Sequence, residues 1–417
     1  MLWTDTPEML IAVEMFNASQ NRHLVEVHYV DDLPNALRQP DAQGSAGPSI
    51  VIGKGLRTKT LSGYFQSLEY LFGELVLSKG GFYSSLLEGG KEENRQLLVP
   101  VSFNIMLLLN KKNAAFRNGT TGLDIPVTDE SVITMEEIRR LAILFNGLSK
   151  TENERMGFSP RWPDKDFMFQ LVQLGGAGFG ETSGKPERRD ETGKPYPVSW
   201  SAEGLDEAVT TMRNYIGDVN GSTEKEDAFA FKYLFAPGYR NVESEKILFT
   251  AMDSASFFLL PPVTRSIFEY RYFAGKGRLA VREDIKYAGI PRRGSQKESA
   301  EQFLRWFLTS DNQKAILEKS RTLRISESAF GIAGGFSSLR QVTETLFPSY
   351  YTDLLGHSPP EAMILPPEPI PLNWYKMKTE LFLPWLTTIA GRTLTTTADA
   401  DLSARLMEYL DKNPDLR

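Results

Sequence analysis

Trp374-Tyr375 is the residue pair in this sequence with the clearest chemical use. Both rings offer flat apolar faces to the C–H side of a sugar ring, and both carry a hydrogen-bonding end. The helix that follows, through Leu381, Leu383, Trp385 and Ile389, keeps a core aromatic pair as the plainer alternative. Gly53-Lys54-Gly55 ends an apolar strand, at the end where open α/β sheets bind ligands. It fits either a close backbone approach to a ligand or a turn. Gly175-Gly176-Ala177-Gly178-Phe179-Gly180 follows a helical run and lacks a P-loop lysine, so it reads as a helix end and turn. Tyr350-Tyr351 is a type of pair that can hold ferric iron, but phenolates need supporting His and carboxylate ligands, and packing is the simpler reading.

Composition narrows the chemistry further. The 417 residues include no cysteine, which excludes a disulfide framework, Cys-based zinc, an iron–sulfur cluster and a thiol nucleophile. His23, His28 and His357 are scattered and form no H-x-x-x-H pattern. No G-x-S-x-G or kinase signature occurs, and neither a metal nor a cofactor is expected. Carboxylates are plentiful, so a glycosidase pair stays open, with no pair singled out. Acids outnumber bases 53 to 47, for a net charge of −6, which argues against nucleic acid. No run approaches the roughly 18 apolar residues of a membrane span. The sequons at Asn17, Asn118 and Asn220 carry meaning only in a eukaryotic secretory setting. The chain reads as strand from Leu2-Trp3-Thr4, as if a leader had preceded it, and the lack of cysteine suits an exported protein.

The elements that position these groups alternate. Leu2 to Thr4 is a strand. Thr6 as N-cap and Pro7 start a helix with Met9, Val13 and Phe16 on one face. His23 to Val30 reads as a half-buried strand, with Val25, Val27 and Tyr29 inward. Ser49 to Ile52 is a third strand, and a helix is expected over Leu61 to Leu77. That order implies a mostly parallel sheet flanked by helices. Leu97–Phe103 and Ile105–Leu109 are two apolar strands around Asn104, a ribbon suited to passing from one lobe to another. Capping boxes at Thr134-Met135-Glu136-Glu137 and Ser295-Gln296-Lys297-Glu298 open two helices, and Ser310 caps a third. Another helix runs through Leu205, Val209, Met212 and Ile216, after a surface loop over residues 180–197. Six prolines within residues 359–371 make an extended connector, and helices follow from Leu372 to about Leu410.

The order of six segments resembles the extracellular solute-binding proteins of ABC importers, in the maltose/maltodextrin-type group (family 1). Leu2-Trp3-Thr4-Asp5 with Pro7-Glu8 and Phe16-Asn17 is similar to that family's first strand and helix. Gly47-Pro48-Ser49-Ile50-Val51 is similar to its G-P-D-I strand, and Pro100-Val101-Ser102 through Asn110-Lys111-Lys112 to its crossover strands ending in Y-N-K. Met135-Glu136-Glu137 stands at its W-E-E, and Ala251-Met252 at its A-M segment. Ala288-Gly289-Ile290 with Ala300, Phe303 and Trp306 is similar to its next helix, and Trp374-Tyr375 to a sugar-stacking pair. The resemblance covers roughly Leu2 to Ala390.

The resemblance implies two α/β lobes of the periplasmic-binding-protein type II fold, each a mostly parallel sheet flanked by helices, with a hinge and a ligand cleft between them. It assigns residues 1–102 and 273–309 to lobe 1, and 103–272 and 310–417 to lobe 2. It assigns ligand contacts to Thr4, Asp5, Thr6, Gly53, Lys54, Phe103 and Asn104, and to Trp162, Asp164, Asp166, Ser254, Ser256, Trp374 and Tyr375. Some of these, such as Thr6 and Asp164, fit a helix cap as well as a ligand contact. Maltose-type members carry a tryptophan where this chain has Gly53 with Lys54 next, which points to a smaller or partly anionic sugar. The implied function is reversible capture of a small solute, a carbohydrate, and its delivery to membrane permease subunits. No catalysis or cofactor is involved, and the chain would be an exported monomer, periplasmic or on the cell surface, lipid-anchored through its leader region. A carbohydrate-active hydrolase and a ligand sensor on the same fold are the alternatives.

Overall fold

The computed structural model describes residues 1–38, 47–73, 77–112, 131–149, 154–162, 166–182, 193, 196–392 and 396–416. The chain groups into two compact units. Unit 1 holds Met1–Asn104, Ser254–Leu259 and Val281–Leu372, and unit 2 holds Ile105–Asp253, Leu260–Ala280 and Asn373–Arg417. These bounds differ from the expected lobes in four places. Phe103 and Asn104, and the segment Ser254–Leu259, fall in unit 1 rather than in the second lobe. Residues 310–372 fall in unit 1, because the helix Ser310–Thr322 packs on the helix Met9–Ser19 and Phe336–Ser337 pairs with Phe103 and Ser102. Residues 273–280 fall in unit 2, where the strand Phe268–Ala274 pairs along Met106–Lys111.

Unit 1 is built on a six-stranded sheet. Its order is Phe336–Ser337, Val99–Phe103, Lys286–Gly289, Ile50–Gly53, Leu2–Thr4 and Val27–Tyr29. Leu2–Thr4 runs parallel to both Val27–Tyr29 and Ile50–Gly53, as the strand–helix–strand pattern requires. The sheet is nonetheless mixed. Lys286–Gly289 lies antiparallel between Ile50–Gly53 and Val99–Phe103. Leu2, Trp3, Ile50, Val51 and Ile52 are at most 1 % exposed, which is how central strands covered on both faces read in sequence. Val27–Tyr29 is an edge strand of three residues and does not keep the expected inward face: Tyr29 is exposed and Val27 half-buried, while Val25 and Val30, just outside the strand, are buried. The helix Met9–Ser19 buries Met9, Ala12, Val13 and Phe16, and Phe16 meets Phe303 edge-on at 5.3 Å.

Several local expectations fail in unit 1. Ser310 is the first residue of the helix Ser310–Thr322 rather than its cap, and Thr309 before it makes no side-chain cap bond. No helix spans Leu61 to Leu77: Lys59–Ser62 stops at Gly63, and Glu69–Leu71 is a single 3-10 turn. The box at Ser295 does not form, because Gln296 takes a left-handed conformation (φ 53°) and gives Lys297–Phe307 no side-chain cap. Its inward face is as expected, with Ala300, Phe303, Leu304 and Phe307 buried.

Unit 2 carries a four-stranded sheet in the order Thr250–Asp253, Met106–Lys111, Phe268–Ala274 and Val132–Thr134. Only Val132–Thr134 runs parallel to its neighbour. The chain thus leaves one sheet at Phe103 and enters another at Met106, as the tandem strands suggest. Thr134 caps the helix Met135–Asn146 by accepting from Glu137 N. The helix Asp166–Leu174 packs on the sheet through Phe167, whose ring lies 4.4 Å from that of Phe273, and Ala202–Tyr215 packs on Asp166–Leu174. Trp374–Met377 continues through a π turn at Lys378–Phe382 into Leu383–Ile389.

Candidate functional site

The strand Leu2–Thr4 has its sequence neighbours on opposite sides, Val27–Tyr29 on one and Ile50–Gly53 on the other. The connections leaving it therefore diverge, and the carboxyl ends of Leu2–Thr4 and Ile50–Gly53 border a topological switch point, where open α/β sheets take ligands. Asp5 follows the first strand and Lys54 the second. Lys54 N donates to Asp5 Oδ2 at 3.1 Å, and the Thr6 hydroxyl donates to Asp5 Oδ1 at 2.9 Å. Thr6 N in turn donates to Thr4 Oγ1 at 3.1 Å. Thr4 is fully buried, so it shapes the turn that presents Asp5. The Thr6 hydroxyl, expected as an N-cap, is spent on Asp5, and the helix Met9–Ser19 begins without a side-chain cap.

Gly53 is required by the same carboxylate. A Cβ on residue 53 would lie 2.5 Å from Asp5 Oδ1 and 2.3 Å from Leu33 Cδ1. Burial pushes the Asp5 carboxyl above its ordinary value. The hydrogen bonds from Lys54 N and Thr6, and the ammonium charges of Lys286 and Lys54, oppose that shift in part. The result is a carboxylate held in one orientation with cations beside it, suited to accepting hydrogen bonds from hydroxyls.

A second polar group stands in the same unit. Ser254 Oγ donates to Asn104 Oδ1 at 2.9 Å, and Asn104 Nδ2 donates to Gly334 O at 3.0 Å. Asn104 and Ser254 are 3 % and 0 % exposed, so they brace three segments from within. Ser256 is exposed on the short helix Ser254–Leu259. Phe103 is a correction to the expected contacts. It is 1 % exposed, with its ring against Tyr83 at 5.1 Å and Phe336 at 5.7 Å, and has no face left for a ligand.

In unit 2 the expected aromatics lie mostly inside. Trp374 is fully buried among Phe169, Phe179 and Phe382, with ring centroids 5.2–6.3 Å away. Its stacking role is thereby corrected to a core role, and Tyr375, half-buried, is the member of the pair with an accessible edge. Trp162 stacks on Phe229 at 5.3 Å and 19°, beside Arg161, which binds the buried Glu226 at 3.1 Å. Burial pushes the Glu226 carboxyl up, against the hydrogen bonds from Asn220, Ser159 and Arg161. Asp166 opens its helix and pairs with Lys378 Nζ at 2.7 Å, and that ammonium lies 4.2 Å from the Phe169 ring centroid. Asp164 lies outside the described residues.

The structure thus brings together Asp5, Thr6, Gly53 and Lys54, and separately Asn104 with Ser254. Sequence reasoning missed Lys286, which opens a strand at this sheet edge, and Lys378. The signal for Lys378 was its place four residues after Trp374, a cation on a buried helical face. For Lys286 no local signal existed. Among the described residues no group of three or more His, Cys, Asp or Glu is arranged to hold a metal, and no helix is long and apolar enough to cross a membrane.

No family model matches this sequence, and no curated protein sequence does. Solved structures do match over essentially the whole chain. The cyclic α-maltosyl-1,6-maltose binding protein of Arthrobacter globiformis is 15 % identical with a TM-score of 0.65, covering 99 % of this chain and 98 % of its own. The maltose-binding periplasmic protein of Listeria monocytogenes, solved with maltose, is 13 % identical with a TM-score of 0.61 and the same coverage. An ABC substrate-binding protein of Listeria monocytogenes in complex with cycloalternan is 14 % identical with a TM-score of 0.58, covering 100 % of this chain and 98 % of its own. From end to end, the chain has the fold of ABC substrate-binding proteins.

Proposed function

We propose that this chain is the substrate-binding component of an ABC importer. It captures a saccharide reversibly, using the carboxyl ends of the unit 1 strands, and delivers it to a membrane permease from outside the cytoplasmic membrane. The observation that carries this reading is the end-to-end match to proteins solved with or named for saccharides, such as maltose, cycloalternan and mannotriose. The Asp5, Thr6 and Lys54 cluster supports it, because a fixed carboxylate with neighbouring donors is what orients sugar hydroxyls. Capture and release need no bond chemistry, only groups held in place.

Thermal melting of the purified chain against a library of neutral and acidic oligosaccharides tests the reading. A binder gains melting temperature with ligand concentration by mass action, and the saccharide is recovered unchanged. Failure of every saccharide to raise the melting temperature, or release of cleavage products in proportion to protein, would contradict it.

A further inference from the structure

We propose that the saccharide taken at the unit 1 strand ends is anionic, bearing a carboxylate or sulfate, and that Lys286 is the residue that reads this charge. The inference rests on the proposed function and names its substrate class.

Lys286 opens the strand Lys286–Gly289, which runs antiparallel between Ile50–Gly53 and Val99–Phe103. Tyr287 is in register with Gly53, and Lys286 is paired with Ser102. The start of this strand therefore lies at the sheet edge where its neighbours end, the edge that carries Asp5 and Lys54. A Cβ on Gly334 would sit 3.9 Å from Lys286 Nζ, so the ammonium lies beside the residue whose carbonyl binds Asn104. Gly334 has φ 77°, a conformation that favours glycine, so the chain bends there without a side chain. Lys286 thus joins the two polar groups of the unit.

Its ammonium is half-buried and makes no hydrogen bond or ion pair among the described residues. This half-buried ammonium feels the Asp5 charge without touching it, and a ligand anion could give it the direct ion pair it lacks. Asp5 serves poorly as the counter-charge. Its oxygens accept from Thr6 and Lys54 N, and it makes no ion pair with Lys286, on which it acts only through its charge. Of the next charges along the chain, Arg282 and Asp284 pair with each other at 3.7 Å, and Glu283 is buried. The edge keeps a cation for the ligand. A flat neutral maltodextrin would leave it unused.

Isothermal titration of the full chain with paired trisaccharides tests this: trigalacturonate against galactotriose, and a mannuronate trimer against mannotriose. The expected result is that one acidic member binds at least about tenfold tighter than its neutral partner at low salt, with the ratio shrinking at high salt. Lys286→Gln should bring the acidic-to-neutral ratio close to one, and Lys286→Arg should restore most of it, with unchanged melting curves as the control for folding. Neutral members that bind as tightly as acidic ones, or a ratio that Lys286→Gln leaves intact, would overturn the inference and leave saccharide capture standing. Binding of no trisaccharide, and no gain in melting temperature across the library, would overturn both.

Discussion

The Asp5 carboxylate occupies the space a side chain on residue 53 would need, 2.5 Å from the position of its Cβ. Two strands adjacent in the sheet but 49 residues apart in sequence are locked by this contact and by the bond from Lys54 N to Asp5 Oδ2. Glycine at 53 and aspartate at 5 are therefore one design. The absence of a side chain at 53 makes room for a charged, hydrogen-bonding group.

Gly53→Ala tests that coupling. The new methyl group must displace Asp5 or Leu33. Overpacking of this kind costs about 1–3 kcal/mol. Denaturant unfolding should show that loss, together with weakened saccharide binding. A variant as stable as the parent would mean the carboxylate moves aside freely.

Asp5 gives a pH dependence with a definite sign. Burial holds its folded pKa above the unfolded value, so the folded state binds this proton more readily. Its contribution to stability is greatest below the unfolded pKa and is lost as pH rises through the folded one. Asn at this position does not titrate. The melting temperature of the parent minus that of Asp5→Asn should therefore fall as pH rises from about 3 to about 7. Parallel melting curves across that range would contradict the assignment.

Trp374 and Tyr375 should separate cleanly. Trp374→Ala removes a fully buried indole and should cost about 3–5 kcal/mol in unfolding free energy. Trp374→Phe should cost far less, since it keeps a ring and deletes an indole N–H that has no partner among the described residues. Tyr375→Ala, which truncates a half-buried ring, should leave the melting temperature within a few degrees. If Trp374→Ala keeps the parent's melting temperature, the core assignment is wrong.

Arg161→Ala leaves the buried Glu226 without its cation. Breaking such a pair costs about 3–5 kcal/mol. Glu226→Gln, which removes the charge itself, should cost less. Equilibrium unfolding of both variants measures the difference, and equal losses would argue that the ion pair is not what Glu226 needs.

How far the sequence carried depended on distance along the chain. The cap at Thr134 and the inward face of Lys297–Phe307 are set within a few residues, and both were legible. Gln296 failed as part of a box because its own left-handed backbone, not its side-chain type, decides the geometry. Gly53 and Lys54 stood out at a strand end, Asp5 came out of a resemblance, and the structure brings the three into contact. Lys286 was invisible because its place beside Gly53 depends on a strand pairing across more than 230 residues. Phe103 and Trp374 were misjudged for a different reason. An aromatic ring in a core and one on a ligand platform have the same sequence pattern, and only the surrounding rings distinguish them.

Saccharide capture at the Asp5 strand end stands or falls on the affinity of Asp5→Ala. Titration of the parent should give saturable binding to at least one oligosaccharide, recovered intact, and Asp5→Ala should bind it at least about 30-fold more weakly, or about 2 kcal/mol, while still folding. Equal affinity in a folded Asp5→Ala would contradict the account.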